Sequence, residues 1–304
     1  MPRVSVVIPA YNHARFIGET LESVLQQTFK DYEIIVVNDG SPDDTAEVLR
    51  PYRDRKQIVY IEQANAGQAA ARNRGIREAS GEYIALLDDD DCWPPNKLEW
   101  QVERLGADPT ICLIAGDSRD AWATVLREQF TDPFPARTPT LESLFTGNPI
   151  YSPGQTLIRR EALAACGGFR EDIWGADDWD LYIRMCKTGR LVLHSRPALF
   201  YRRHAGNASR NMVRLLRNVF KVFQTHLADL GPKARRQGKT NTRRWFYLFG
   251  LRGPVFEMRR GFCRREPAAF FESMGELVRR LLVVRLDLVI AKCLLRDLIR
   301  GKVD

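Results

Sequence analysis

Apolar runs alternate with amphipathic stretches along the first hundred positions of the chain. Residues 3–9 (RVSVVIP) read as a strand, after which Phe16, Leu21, Val24 and Leu25 mark one face of a helix. Residues 33–38 form a second strand, nearly all apolar, as a strand covered on both faces requires. Residues 39–44 (DGSPDD) carry loop and helix-cap chemistry. A third strand is expected over 58–61, a helix from about Gly67 to Ala79, and a fourth strand over 83–87. Strand and helix in this alternation predict an α/β fold with a mostly parallel, doubly wound sheet flanked by helices. The loops leaving the carboxyl ends of such strands meet on one edge, where ligands bind. Here those loops begin with Ala10-Tyr11-Asn12, Asp39-Gly40, Gln63-Ala64-Asn65 and Asp88-Asp89-Asp90-Asp91.

Candidate chemistry enters with the last of these loops. Four consecutive carboxylates after an apolar strand repel one another unless a cation neutralises them. Hard oxygen ligands suit Mg²⁺ or Mn²⁺, which commonly bind substrate phosphates beside one or two carboxylates. The competing expectation is a solvated acidic turn capping a helix that starts near Pro94-Pro95. No G-x-G-x-x-G follows the first strand, which counts against a dinucleotide dehydrogenase.

The motifs Val4-Ser5-Val6-Val7-Ile8-Pro9-Ala10-Tyr11-Asn12, Ile35-Val36-Val37-Asn38-Asp39-Gly40-Ser41, Asn65-Ala66-Gly67 with Ala71-Arg72-Asn73, and Leu87-Asp88-Asp89-Asp90-Asp91 occur in that order. Together they resemble the inverting family 2 glycosyltransferases, over roughly residues 3–205. The resemblance implies a GT-A type, Rossmann-like fold and transfer of a sugar from a nucleotide-sugar, with Mn²⁺ or Mg²⁺ as cofactor. It implies that Ala10 and Tyr11 line the nucleotide site, with Asp39 accepting a hydrogen bond from the base and Arg72 alongside. Asp88 and Asp90 are then the outer members of a D-x-D element. Asp88 reaches the ribose or the metal, and Asp90 binds the metal.

From Ile111 the β/α rhythm loosens, as expected where an acceptor-binding part is grafted on. Residues 156–160 are strand-like, 161–166 a short helix, and Gly167-Gly168-Phe169 a turn. In the family a Gly-Gly-Phe turn precedes a helix opening with Glu-Asp, whose Asp is the general base. This chain has Asp177-Asp178, which makes Asp178 the expected base and Asp177 its fallback. Single displacement needs one such carboxylate to take the acceptor hydroxyl's proton. Acids also cap helices, and that reading competes for both residues. Trp174 and Trp179 flank the pair and suit either an acceptor sugar or core packing. Tyr201-Arg202-Arg203-His204 resembles the family's Tyr-Arg-x-His element, in which the histidine approaches the metal or diphosphate.

Charge changes the picture of the remainder. Residues 1–200 hold 22 Lys/Arg against 30 Asp/Glu, a balance of −8, whereas residues 201–304 hold 24 against 8, a balance of +16. The expected organisation is a catalytic domain over 1–208 (about 1–110 nucleotide-sugar binding, 111–208 acceptor side) and a basic helical region over 209–304. In that region Met212, Leu215, Leu216, Val219, Phe220 and Phe223 form one apolar stripe. Leu277, Leu281, Val284, Leu288, Ala291, Leu295 and Leu298 form another, with Arg279, Arg280, Arg285, Lys292, Arg296 and Arg300 elsewhere. The second stripe suits an anionic membrane surface or a homo-oligomer seam. No run of about twenty apolar residues is present, and residues 4–10 make a poor signal-peptide core.

The expectation is a hexosyltransferase peripheral on the cytoplasmic face of a membrane. It uses a UDP-sugar and a saccharide or lipid-linked acceptor, in cell-surface polysaccharide or glycolipid assembly. Competing readings are a polyprenyl-phosphate glycosyltransferase of the same fold, a sugar nucleotidyltransferase and a nucleic-acid-binding protein. The last leaves the acidic crevice unexplained. Six scattered cysteines without C-x-x-C pairs suggest reduced thiols.

Overall fold

The computed structural model describes residues 1–119, 135–204, 206–207, 211–264 and 267–284, and the chain divides into two units. The first comprises Met1–Thr140, Pro149–Asp172 and Asp177–Ala205. Its elements, in chain order, are β1 (Val4–Ala10), α1 (Ala14–Leu25), β2 (Tyr32–Asn38), α2 (Thr45–Asp54), β3 (Val59–Glu62), α3 (Gln68–Glu78) and β4 (Tyr83–Leu86). There follow α4 (Lys97–Ala107), β5 (Ile111–Arg119), β6 (Ala136–Arg137), β7 (Thr156–Arg159), α5 (Arg160–Ala165), α6 (Asp177–Cys186) and β8 (Arg190–Phe200). Among the described residues the strands make one sheet in the order β3-β2-β1-β4-β7-β5-β8-β6.

Alternation along the strands explains their apolar runs. Val4, Val6 and Ile8 enter one core layer with Ile34 and Val36, while Val7 enters the opposite layer with Ile35 and Val37. Both faces are therefore covered, and no position in β1 is left for a solvent-facing side chain. Helix α3 lies close on the sheet because it carries Gly75, where an added Cβ would stand 2.4 Å from Val7 Cγ1.

β1 pairs in parallel with β2 on one side and β4 on the other, so the strand order reverses between β1 and β4. That is the switch point at which open α/β sheets bind ligands. Beyond β4 the sheet turns mixed. β7 inserts antiparallel between β4 and β5, and β8 runs parallel to β5. The loosened rhythm after Ile111 thus marks a change of strand direction within the same sheet.

The second unit gathers Leu141–Asn148, Ile173–Ala176 and Gly206–Asp304. Its helices are α7 (Met212–His226), α8 (Pro232–Trp245), α9 (Arg252–Cys263) and α10 (Pro267–Val284). The stripe expected on α7 is its packing face, since Leu216, Val219 and Phe223 are buried. The rings of Phe145 and Phe223 lie 5.4 Å apart, and Trp174 N–H donates to Asn218 Oδ1 at 3.0 Å. These contacts tie two short segments from before residue 208 to the helices, where the sequence suggested a single cut.

On α10 the outcome differs from the expected stripe. Leu277, its first member, is buried, whereas Phe271, Met274 and Val278 are exposed. Leu288, Ala291, Leu295 and Leu298, with Arg285, Lys292, Arg296 and Arg300, lie outside the described residues. Among the described residues no helix is long and apolar enough to cross a membrane.

Candidate active site

Ala10, Tyr11, Asp39 and Asp88 to Asp91 belong to the sheet-containing unit, on the edge where β1, β2 and β4 end. Ala10 closes β1 fully buried, and its carbonyl accepts the Asp39 N–H at 2.9 Å, which fixes the start of one loop against the end of the other. Tyr11 follows with its side chain open to solvent, and Asn12 takes a left-handed φ of 58° that turns the chain into α1.

Asp39 is buried and does structural work. Its Oδ1 accepts from Gln63 Nε2 at 2.8 Å and Ala66 N–H at 2.9 Å, and its Oδ2 accepts from Gly67 N–H at 2.8 Å. A carboxylate offers about four acceptor sites. Three such bonds leave room for one more donor.

The four aspartates after β4 take four different sets of partners. Asp88 Oδ1 accepts from Arg72 Nη2 at 2.7 Å and Gln68 Nε2 at 3.0 Å, while Oδ2 accepts from Ser152 Oγ at 3.2 Å. Asp89 lies 2.8 Å from His13 Nδ1 and accepts Tyr11 N–H at 2.8 Å. Asp90 Oδ2 lies 2.8 Å from His204 Nε2. Asp91 is fully buried and accepts Arg202 N–H at 2.9 Å, while its second oxygen has no hydrogen-bond partner. His204 reaches this place because Cys92 and Phe200 exchange backbone hydrogen bonds of 3.2 and 2.8 Å, which lays the end of β8 against the aspartate run.

Burial raises the carboxyl pKa of Asp89, Asp90 and Asp91. Asp89 is pushed up to about 6 by desolvation, against the pull of His13. Asp90 is raised by burial and by the charge of Asp88, and Asp91 goes well above the usual range by burial and by the charge of Asp90. His13 is raised too. Desolvation opposes its charging, but the hydrogen bond and charge of Asp89 outweigh it. The cluster is short of positive charge. Donor atoms of His13, Asp90 and His204 all lie within 4.8 Å of one another. One carboxylate and two imidazoles beside electrostatically frustrated acids fit a divalent cation.

The expected ligands Asp90 and His204 are both in that group. Asp88 is not; its carboxylate is committed to Arg72.

Arg72 joins the two halves of the site. It is buried on α3, with Nη2 on Asp88 at 2.7 Å and Nη1 on Asp177 Oδ2 at 2.8 Å. The same helix holds the turn before α6, because Asn73 accepts from Phe169 N–H at 2.9 Å and donates to its carbonyl at 2.8 Å. Gly168 makes that docking possible, with φ of 71° and an added Cβ that would stand 2.7 Å from Asn73 Oδ1.

α6 opens with Asp177 and Asp178 in its first turn. Asp177 is tied to Arg72. Asp178 Oδ1 accepts Trp179 N–H at 2.6 Å, and burial together with the charge of Asp177 pushes its carboxyl up to about 7. A carboxyl near neutrality can both hold and release a proton at physiological pH.

The family model described as Glycosyl transferase family 2 matches residues 5–167, more than half of the chain. The chain belongs to glycosyl transferase family 2. Chondroitin synthase of Escherichia coli is 28% identical over 239 residues, 77% of this chain and 34% of that protein. A putative teichuronic acid biosynthesis glycosyltransferase, TuaG of Bacillus subtilis, is 44% identical over 105 residues, 34% of this chain and 41% of that protein. The chain spans less than half the length of the curated relatives it matches. Among solved structures, TarS 1–349 of S. aureus in complex with UDP-GlcNAc gives a TM-score of 0.62 at 19% identity, covering 91% of this chain and 81% of that one. A mannosyltransferase of Pyrobaculum calidifontis in complex with GDP-Man and Mn²⁺ gives 0.61 at 21% identity, covering 99% and 81%. At these identities the likeness is one of fold, and it is to GT-A enzymes.

Within this family 2 fold, the sequence motifs converge as their order suggested, with two qualifications. Trp179 is buried, and Trp174 belongs to the helical unit, where the Arg214 guanidinium lies 4.3 Å from its ring centroid. Sequence reasoning gave no individual role to His13, Asp89, Gln68 or Ser152. His13 and Asp89 carried a usable signal, since both sit in loops at carboxyl ends of parallel strands. Ser152 lies in a charge-free stretch with no pattern to mark it.

Proposed function

We propose that the chain is a metal-dependent inverting glycosyltransferase that moves a sugar from a UDP-sugar to an acceptor hydroxyl in cell-surface polysaccharide or glycolipid assembly. The observation that carries this reading is the Arg72 bridge, at 2.7 Å to Asp88 and 2.8 Å to Asp177. It joins Asp88 of the D-x-D element to Asp177, the residue before the proposed base Asp178, in one buried network.

In this reading Tyr11 stacks on the nucleotide base beside Ala10. Asp39 accepts from the base with its remaining site, and Asp88 takes the ribose from its place on Arg72. Asp178 holds the acceptor hydroxyl and takes its proton as the oxygen attacks the anomeric carbon. The bond from that carbon to the diphosphate oxygen breaks, and the nucleoside diphosphate leaves with the electron pair. Mn²⁺ or Mg²⁺ held by Asp90 and His204 would offset charge on the diphosphate. Trp174, four positions before Asp178, is the proposed acceptor-side aromatic on its place in the sequence. Turnover on the right acceptor is expected to release one nucleoside diphosphate per sugar moved. Pyrophosphate release instead would make the protein a sugar nucleotidyltransferase and overturn the reading.

The basic helical region is proposed to dock on an anionic membrane surface, on its cytoplasmic face. Support comes from the +16 balance of residues 201–304 and from the exposed Phe271, Met274 and Val278 of α10. Burying each apolar side chain contributes about 1.5–3 kcal/mol. Phe271→Ser with Val278→Ser is therefore expected to cut partition onto phosphatidylglycerol vesicles at least about tenfold. Undiminished sedimentation with vesicles would contradict it, and loss of self-association instead would assign that face to a second copy.

A further inference from the structure

We infer that His13 is itself a ligand of the divalent cation, so that two imidazoles and one carboxylate hold the metal where the sequence motif suggests aspartates. The inference rests on the metal-dependent reading above and names a residue outside the D-x-D and Tyr-Arg-x-His elements.

His13 is the residue preceding α1, at the outlet of β1, and its donor atom falls within the 4.8 Å group formed with Asp90 and His204. A second observation concerns orientation. His13 Nδ1 lies 2.8 Å from Asp89 Oδ1, and the other oxygen of Asp89 is occupied by Tyr11 N–H at 2.8 Å. With Nδ1 facing a carboxylate, the proton is assigned to that nitrogen, and Nε2 keeps its lone pair for a metal. A carboxylate behind a histidine in this way is the usual outer support of a metal-bound imidazole. It gives buried Asp89 a purpose that neither phosphate contact nor solvation supplies.

The ring is also fixed by packing. The centroids of His13 and His204 are 5.1 Å apart in an edge-to-face arrangement, and both rings lean on Phe16, at 5.8 and 4.7 Å. Phe16 thereby limits rotation of both imidazoles. Imidazole donors favour Mn²⁺ and later transition metals over Mg²⁺, which prefers oxygen and water. The site is accordingly expected to select Mn²⁺ in a mixture with Mg²⁺.

The competing role for His13 is to tie the start of α1 to Asp89. His13→Asn separates the two, because an asparagine amide can still donate to Asp89 while the distal nitrogen is gone. Mn²⁺ is titrated into the full chain with UDP present and followed by electron paramagnetic resonance, with spin-echo detection of nitrogen coupled to the bound ion. Wild-type protein should show two coupled imidazoles. His13→Asn should show one, and should bind Mn²⁺ at least about tenfold more weakly, the lower end of what losing even an outer support costs a metal site. A single coupled imidazole in wild-type protein, or unchanged affinity in His13→Asn, overturns the assignment of His13 and leaves metal dependence standing. Absence of Mn²⁺ binding to folded wild-type protein overturns both. The wild-type nitrogen count decides the matter even if the variant does not fold.

Discussion

Asp178→Asn is expected to lower turnover by about 10²–10⁴-fold, the usual contribution of a general base, while nucleotide binding is retained. The amide keeps the shape of the side chain but has no lone pair basic enough to take the hydroxyl proton. Asp177 is the weaker candidate, because its Oδ2 accepts from the Arg72 guanidinium at 2.8 Å. The pH profile supplies a second signature. Asp178 sits near 7 because burial and the charge of Asp177 disfavour its ionised form, and only that form accepts a proton. Wild-type kcat/KM should therefore rise with pH through about 7. The residual activity of Asp178→Asn should lack that limb. Near-normal turnover in Asp178→Asn would move the base to Asp177 or elsewhere.

Arg72→Met is expected to cost about 3–5 kcal/mol of stability at neutral pH, the range for removing one partner of a buried ion pair. The side chains of Arg72 and Asp177 are 3% and 5% exposed, so water cannot replace the lost guanidinium. Asp177 would be left as an unpaired buried charge, and its protonation would be the relief. The deficit should accordingly shrink as pH falls toward the ordinary carboxylate range. Lysine should rescue poorly, since one ammonium does not reproduce the fork that spans two carboxylates. Urea unfolding at neutral and mildly acid pH measures both effects. A loss under about 1 kcal/mol, typical of an exposed pair, would show that Arg72 is not the link between the two halves.

Much of this site was readable from β1, β2 and β4, because strands covered on both faces leave long apolar runs and their outlets stand out as polar punctuation. The Asp177–Asp178 pair was marked instead by the family resemblance, in which a Gly-Gly-Phe turn precedes an acidic helix start. Other features have no local signature. β7 reads as a strand, but nothing in its four residues says that it inserts antiparallel between β4 and β5. Leu144, Phe145 and Trp174 belong to the helical unit through segments too short to display any period. The apolar stripe from Leu277 was periodic enough to notice, yet periodicity marks a face without saying what covers it, and Leu277 is buried. Arg72 looked like a nucleotide contact. Its part as a bridge depends on Asp177, 105 positions away, and distance in sequence hides such pairs.

The central claim is that the edge formed by β1, β2 and β4 binds a nucleoside diphosphate together with a divalent cation. Calorimetric titration of UDP, GDP, dTDP and CDP into the full chain, each with and without Mn²⁺, tests it most directly. Tight binding of one nucleotide that depends on Mn²⁺, with UDP the expected one, is the predicted result. Another base in that place would change the donor and keep the site. Folded protein that binds none of the four, with or without metal, would contradict the account.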